Sequence, residues 1–222
     1  MKKCTVLLVD DHNIVRKGMR MMLELEKDLI VVGEAKNGRE AVQLAEVLEP
    51  DVILMDIAMP VLNGLEATRQ LLKVSPRARV IALSAHNDDA YVINAIQSGA
   101  MGYLLKQDSM QNVCRAIRDV MNGHRYFSHS VDVRLRKLRA AAVLTKAPLG
   151  IKLTSRENEV LQLVAEGEAN KQIAAELAIS IKTVEKHRTS LMKKLSIHDT
   201  AGLTRFAIAQ GIIESSSQNT VI

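Results

Sequence analysis

The sequence predicts two domains of different class: an α/β domain on a doubly wound, five-stranded parallel sheet, then a smaller all-α domain of four short helices. Three observations carry this. Five short apolar runs rich in Val, Ile and Leu alternate with helical patterns up to about residue 122, the order expected of a sheet with helices on both faces. The strand pattern stops there, and only helical periodicity follows. Charge changes at the same place: residues 1–122 hold 15 Lys+Arg against 16 Asp+Glu, whereas residues 123–222 hold 15 against 9. A near-neutral module is thus joined to one suited to a polyanion.

The runs TVLLV (5–9), LIVVGEA (29–35), DVILM (51–55), RVIALS (79–84) and GYLL (102–105) suit strands buried on both faces. Helices are expected between them, near 13–26, 38–48, 64–73, 88–98 and 109–122. This domain is taken as 1–123. Residues 124–150 read as a joint. Within it Val131, Leu135, Leu138 and Ala142 recur at helical spacing, with Arg134, Arg136, Lys137 and Arg139 elsewhere on the turn. An amphipathic connector helix and a solvated basic linker both fit that pattern. Pro148 and Gly150 punctuate its end.

The second domain is taken as 151–213. It opens on LTSRENEVLQLVAEG, where Thr154 and Glu157 have capping-box spacing ahead of Val160, Leu161, Leu163 and Val164, and Gly167 is a natural stop. NKQIAAELAIS places Ile173, Ala174 and Leu177 on one face of a second short helix. Ser180 is the expected N-cap of a third helix over about 181–195, and a fourth spans about 199–210. The polar tail, 214–222, is expected to be disordered.

Composition removes several function classes. With no Trp, two Phe and three Tyr, the chain lacks the aromatic platforms on which single-stranded nucleic acids stack. The start, MKKCTVLLVDD, has an apolar run of about five residues, short of the roughly 7–15 of a secretion signal. No stretch approaches the roughly 20 apolar residues of a membrane span. A cytoplasmic protein with no membrane contact is expected. Cys4 and Cys114 form no Cys-x-x-Cys pair and read as thiols in a reducing compartment. The six histidines have no metal-site spacing.

In open α/β sheets, ligands bind beyond the carboxyl ends of the strands. Here the first strand ends at Asp10-Asp11, the third at Asp56, the fourth at Ser84 and the fifth at Lys106. Each has a plain reading alone: a helix-capping Asp, a turn serine, a solvated lysine. Together they form a site. Three converging carboxylates repel one another unless a cation intervenes. An all-oxygen cluster suits Mg²⁺ (or Mn²⁺), and Lys106 supplies a point charge for a phosphoryl oxygen. Asp56 would then attack phosphorus to give an acyl phosphate, with Ser84 donating to a phosphoryl oxygen.

LLVDDH, VILMDIAMPVLNGLE, IALSAH and GYLLK together resemble the receiver domain of bacterial two-component response regulators, over about residues 3–122. The resemblance implies a flavodoxin-like strand order 2-1-3-4-5 and phosphorylation of Asp56 by a sensor histidine kinase. It also implies Mg²⁺ bound by Asp11, by Asp10 through water, by Asp56 and by the backbone carbonyl of Ala58. Ser84 and Lys106 match the family's hydroxyl and lysine. Tyr103 matches the aromatic that turns inward as the hydroxyl moves; otherwise it is a half-exposed strand tyrosine. Ala58 and His86 fall where the family varies and phosphate lifetime is set. Gln107 stands where related proteins often carry Asp.

On the third helix of the second domain, Val184, Leu191 and Leu195 fall on one side. Lys182, Glu185, Lys186, Thr189 and Lys193 fall on another, flanked by His187 and Arg188. Such a polar stripe serves as a solvated face or, after a tight turn in a basic module, as the face a helix-turn-helix lays in the DNA major groove. The segment LTSRENEVL to MKKLSI closely resembles a LuxR-type helix-turn-helix, and the whole chain is similar to a NarL/FixJ-type response regulator. By position, Glu185, Lys186 and Thr189 are then base-facing. Lys182, Thr183, His187, Arg188 and Lys193 touch phosphates or support docking. Many related proteins have Lys or Arg at Glu185. A carboxylate there either accepts from a cytosine amino group, shifting sequence preference, or points away. Leu203 and Phe206 on the fourth helix match the region of dimerisation on DNA, or serve core packing alone.

The expectation is a phosphorylation-controlled, DNA-binding transcription regulator and not an enzyme, beyond Mg²⁺-dependent self-phosphorylation and autodephosphorylation at Asp56. Its partners would be a sensor histidine kinase, double-stranded promoter DNA, a second copy when active, and RNA polymerase. Two other readings remain. One is a phosphorylation-independent DNA-binding regulator with a vestigial receiver. The other is an aspartyl-phosphate phosphatase resembling the haloacid dehalogenases, whose Asp-x-Asp on the first strand is not matched by adjacent Asp10 and Asp11.

Overall fold

The computed structural model describes residues 3–135 and 153–213, which fall into two compact units, Met1–Lys146 and Ala147–Ile222. In the first, β1 (Cys4–Val9), β2 (Leu29–Ala35), β3 (Val52–Asp56), β4 (Arg79–Ser84), β5 (Gly102–Leu105) and β6 (Tyr126–Phe127) form one sheet in the order β2-β1-β3-β4-β5-β6, with every neighbouring pair parallel. Between them run α1 (Asn13–Leu23), α2 (Gly38–Leu48), α3 (Gly64–Val74), α4 (Asp89–Ser98) and α5 (Met110–Met121). The expected order 2-1-3-4-5 is observed. The count of five strands is corrected to six: Tyr126 and Phe127 pair with Gly102 and Tyr103 on the β5 edge.

The apolar runs are buried on both faces, as parallel strands require. Val6, Leu8, Val52, Leu54, Ile81, Leu83 and Leu104 pack under α1 and α5, against Leu23, Val113, Ile117 and Val120. The alternate residues Leu7, Val9, Ile53, Met55 and Val80 pack under α2 and α3, against Ala41, Ala45, Ala67 and Leu71. Side-chain oxygens of Asn37, Asn63 and Ser109 accept from backbone N–H groups three residues on, which starts α2, α3 and α5 where the sequence offers those caps.

Part of the joint belongs to this unit. After β6 the chain is helical over 129–135, here α6. Val131 is fully buried and Leu135 nearly so, in one apolar cluster with Tyr91, Val92, Ala95 and Tyr103. Over these residues the chain is an amphipathic helix and not a solvated linker. Leu138, Ala142 and the rest of 136–152 lie outside the described residues, as do 1–2 and the tail 214–222.

The second unit holds α7 (Ser155–Ala165), α8 (Asn170–Glu176), α9 (Ile181–Leu195) and α10 (Thr200–Ala209) around one core of Val160, Leu161, Leu163, Val164, Ile173, Leu177, Val184, Leu191 and Leu203. Thr154 and Glu157 close a capping box on α7, and Ser180 caps α9 through the Thr183 N–H. Glu157 is buried and ties α7 to α9. It accepts from the Thr154 N–H (2.8 Å), the Ser190 hydroxyl (2.8 Å) and the Lys194 ammonium (2.7 Å). Burial alone would push its carboxyl up, but these donors hold it down at about 2.

Candidate phosphoacceptor and nucleic-acid sites

The chain leaves β1 for β2 on one side and returns to β3 on the other, so the carboxyl ends of β1 and β3 flank the switch in strand order. Asp10 follows β1 and Asp56 closes β3; they are 1% and 2% exposed. Lys106, just past β5, reaches both. Its Nζ lies 2.8 Å from Asp56 Oδ2 and 2.9 Å from Asp10 Oδ2. The sheet places three sequence-distant groups in one contact.

Backbone packing holds the acceptor in place. The Gly64 N–H donates to the Ile57 carbonyl at 2.8 Å, bringing the start of α3 against β3. A Cβ at residue 64 would stand 2.0 Å from the Asp56 carbonyl oxygen, so only glycine fits there. Arg16 on α1 donates to the Asp10 carbonyl at 2.6 Å.

Burial pushes the Asp56 carboxyl up to about 7; Lys106 opposes this, and Asp10 and Asp11 add to it. Burial works against the Lys106 ammonium too, but Asp56 and Asp10 hold it above its usual range. Among the described residues, the Lys106 ammonium contacts two of the three clustered carboxylates, Asp56 and Asp10, which leaves the cluster short of positive charge. Candidate ligand atoms of Asp10, Asp11, His12 and Asp56 lie within 4.8 Å of one another. Asp10 Oδ2 and Asp11 Oδ1 are buried without a well-formed hydrogen bond. Clustered carboxylate oxygens of this kind fit a hard divalent cation. Ala58, half-buried, lies two residues beyond Asp56 on the same loop.

His12 was not singled out from sequence. Its N–H donates to Asp10 Oδ1 at 2.8 Å, and its Nδ1 stands 2.8 Å from Asp11 Oδ1 and 3.2 Å from Asp10 Oδ1. The only signal was its position directly after Asp10-Asp11.

Ser84, buried at the end of β4, accepts from the His86 N–H at 3.0 Å. Tyr103 is fully buried and donates to the His86 carbonyl at 2.6 Å. It is not the half-exposed strand tyrosine that was the alternative. Burial pushes its phenol up, against the pull of Ser84, so it stays a neutral donor.

On α9, Lys182, Glu185, Lys186, Thr189 and Lys193 are exposed on one side, while Val184, Leu191 and Leu195 are buried on the other. Arg188 is engaged within the unit, donating to Asn170 Oδ1 (2.8 Å) and Thr200 Oγ1 (3.3 Å), so it ties α9 to the starts of α8 and α10. His187 is half-buried. The Thr183 hydroxyl lies 2.8 Å from that of Ser180 in the cap, and the Thr189 hydroxyl donates back to the Glu185 carbonyl at 2.9 Å. On α10, Leu203 is fully buried in the core. That is the core-packing role given above as the alternative to a dimer contact. Phe206 is partly buried against the same core.

Two family models match this chain. Residues 6–118 match the response regulator receiver domain, and residues 152–207 match the bacterial regulatory proteins of the luxR family. The chain is 42% identical over 195 residues to the transcriptional regulatory protein LiaR of Bacillus subtilis, covering 87% of this chain and 92% of that one. It is 36% identical over 212 residues to the response regulator UvrY of Escherichia coli, covering 96% and 97%. A solved structure of two RcsB dimers bound to two parallel DNAs aligns with 94% of this chain and 99% of its own, at 26% identity and a TM-score of 0.58.

Proposed function

Because the chain belongs to the NarL/FixJ-type response regulators, DNA-binding transcriptional regulators of two-component systems, we propose that Asp56 is its phosphoryl acceptor and that phosphorylation there controls promoter binding. The observation that carries this is the contact of Lys106 with both Asp56 and Asp10 at the switch point of the sheet. An Asp56 carboxylate oxygen attacks phosphorus of a kinase phosphohistidine. The P–N bond breaks, the imidazole leaves with the bonding pair and takes up a proton, and an acyl phosphate remains. Lys106 turns from the lost carboxylate charge to a phosphoryl oxygen, and Ser84 donates to another. Asp10, Asp11, Asp56 and the Ala58 carbonyl would hold Mg²⁺ or Mn²⁺, which supplies charge neutralisation for the phosphoryl oxygens. Water later cleaves the acyl phosphate, so the protein's own catalysis is confined to self-phosphorylation and autodephosphorylation. The chemistry is checked by intact mass after exposure to acetyl phosphate with Mg²⁺: one phosphoryl group on the wild type and none on Asp56→Ala.

In this reading the protein works in the cytoplasm with a sensor histidine kinase, double-stranded promoter DNA and RNA polymerase. Among the described residues no helix is long and apolar enough to cross a membrane. It binds DNA as a homodimer. The dimeric RcsB complex supports this, and so does the receiver surface. Ile14 and Met21 on α1, with Leu25 in the turn that follows it, are exposed at 87%, 70% and 75%, and Gly18 leaves open space between the first two. A second copy would cover these side chains.

The α9 stripe is the DNA-reading face. Lys186→Ala is expected to weaken binding to the preferred sequence by roughly 1–3 kcal/mol and to relax preference at one base position. Fluorescence anisotropy on a panel of single-base variants checks this; a uniform loss across the panel would put Lys186 on a phosphate instead.

A further inference from the structure

The loop from Ser84 to α4 is held from three directions. Ser84 Oγ accepts from the His86 N–H (3.0 Å), and the His86 carbonyl accepts from the Tyr103 hydroxyl (2.6 Å). The third hold comes from α6, outside the acceptor site. Arg134 donates through Nη1 to the Asn87 carbonyl (2.8 Å) and through Nε to Asp89 Oδ1 (2.9 Å).

The first turns of the joint are therefore built onto this loop. The Ser128 N–H donates to the Tyr103 carbonyl at 3.2 Å, continuing the β5–β6 pairing by one residue. Val131 and Leu135, one turn apart, are buried in one apolar cluster with Tyr91, Val92, Ala95 and Tyr103. The His86 ring lies against Tyr91, with centroids 4.8 Å apart. Tyr103 thus holds the loop with its hydroxyl and shares one buried apolar cluster with Val131 and Leu135 of α6.

We infer that α6 is an intramolecular latch, in which Arg134 and the Val131–Leu135 face hold the Ser84–Asp89 segment in its unphosphorylated arrangement, so that a phosphoryl group on Asp56 loosens the joint to the DNA-binding unit. The inference rests on Asp56 being the acceptor. When Ser84 Oγ turns toward a phosphoryl oxygen, the His86 N–H loses its acceptor. The carbonyls of His86 and Asn87, on which Tyr103 and Arg134 hold, move with that peptide. The Arg134–Asp89 pair is 39% and 46% exposed and so contributes modestly by itself. The latch is a bistable packing arrangement that the guanidinium biases. Arg134 is a positioning residue: it acts through the loop and touches no reacting atom. Coupling is reciprocal, so a weaker latch must favour the phosphorylated arrangement.

The test is amide hydrogen exchange on the full-length protein, with and without acetyl phosphate and Mg²⁺, alongside intact mass and DNA binding. In the wild type, amides of 129–135 are expected to exchange at least about five-fold faster after phosphorylation, the lower end of ordinary coupling, while β1 and β3 stay protected. Arg134→Ala and Val131→Ala should show faster 129–135 exchange without phosphodonor and tighter DNA binding in that state. The β1 and β3 amides report whether either variant is misfolded; the wild-type comparison stands without them. If the wild type gains its phosphoryl group and its DNA affinity while 129–135 exchange is unchanged, the latch is wrong and the acceptor assignment survives. If no phosphoryl group is gained, both fall.

Discussion

In the metal-free protein at pH 8, Asp56→Asn is expected to stabilise the N-terminal unit by about 1–3 kcal/mol while abolishing phosphoryl uptake. The reason is the position that makes Asp56 useful. It is 2% exposed, and burial pushes its carboxyl from 3.8 up to about 7. Between those two values the folded protein holds a proton that the unfolded chain has lost, so wild-type stability falls as pH rises through that window and levels off above about 7. The full linkage is about 4 kcal/mol, and the Asn variant recovers less because Lys106 then keeps only Asp10. Protection of the β1 and β3 amides against hydrogen exchange measures the gain. The two proteins should converge near pH 4, and Mg²⁺ should stabilise the wild type more than the variant. Equal stability at pH 8, or a gap that widens toward acid, would remove the buried-charge explanation.

Glu157→Ala is expected to cost the second unit about 2–4 kcal/mol at neutral pH, at or below the usual loss for breaking a buried charge pair, because the half-exposed Lys194 can turn to water. The carboxylate joins the start of α7 to the middle and end of α9, so its loss loosens the recognition helix as well as the cap. The linkage has the opposite sign to that of Asp56. The carboxyl is held at about 2 against an ordinary 4.5. Its stabilisation is complete above about 4.5 and disappears as pH falls toward 2. Denaturant unfolding followed by exchange at α7 and α9 amides checks both statements. Glu157→Gln should flatten the acid limb even if it keeps part of the neutral-pH stability.

The sheet and its site were legible because a parallel strand buried on both faces reads as an apolar run, and function collects where such runs end. DVILM stops on Asp56, RVIALS on Ser84, GYLL just before Lys106, and each stop faces the others once the strands align. Two helix starts were legible for a local reason, since Thr154 and Ser180 each bond within their own first turn; the structure shows the same device at Asn37, Asn63, Ser109 and Asp199. What sequence did not reveal depends on long-range contact. The β6 pairing involves two residues, too few to show alternation, and the helical spacing of Val131 and Leu135 fitted a connector helix without showing what it packs against. The Arg134–Asn87 bond spans 47 positions and the Ser190–Glu157 bond 33, and neither leaves a periodic trace. Leu203 shows the limit of helix-face reasoning. On a ten-residue helix the side facing the core and the side facing a partner differ by about one position, and the buried side claimed it.

Control of DNA binding from Asp56 is tested most directly by one equilibrium measurement on the full-length protein. A preferred duplex is first selected from a random pool, and its affinity is then measured for wild type and Asp56→Ala, each with and without acetyl phosphate and Mg²⁺, at one fixed salt concentration. Phosphodonor should tighten binding by the wild type and leave Asp56→Ala unchanged at the unphosphorylated affinity. Equal affinity in all four conditions would contradict this and identify a DNA-binding protein whose receiver no longer governs it.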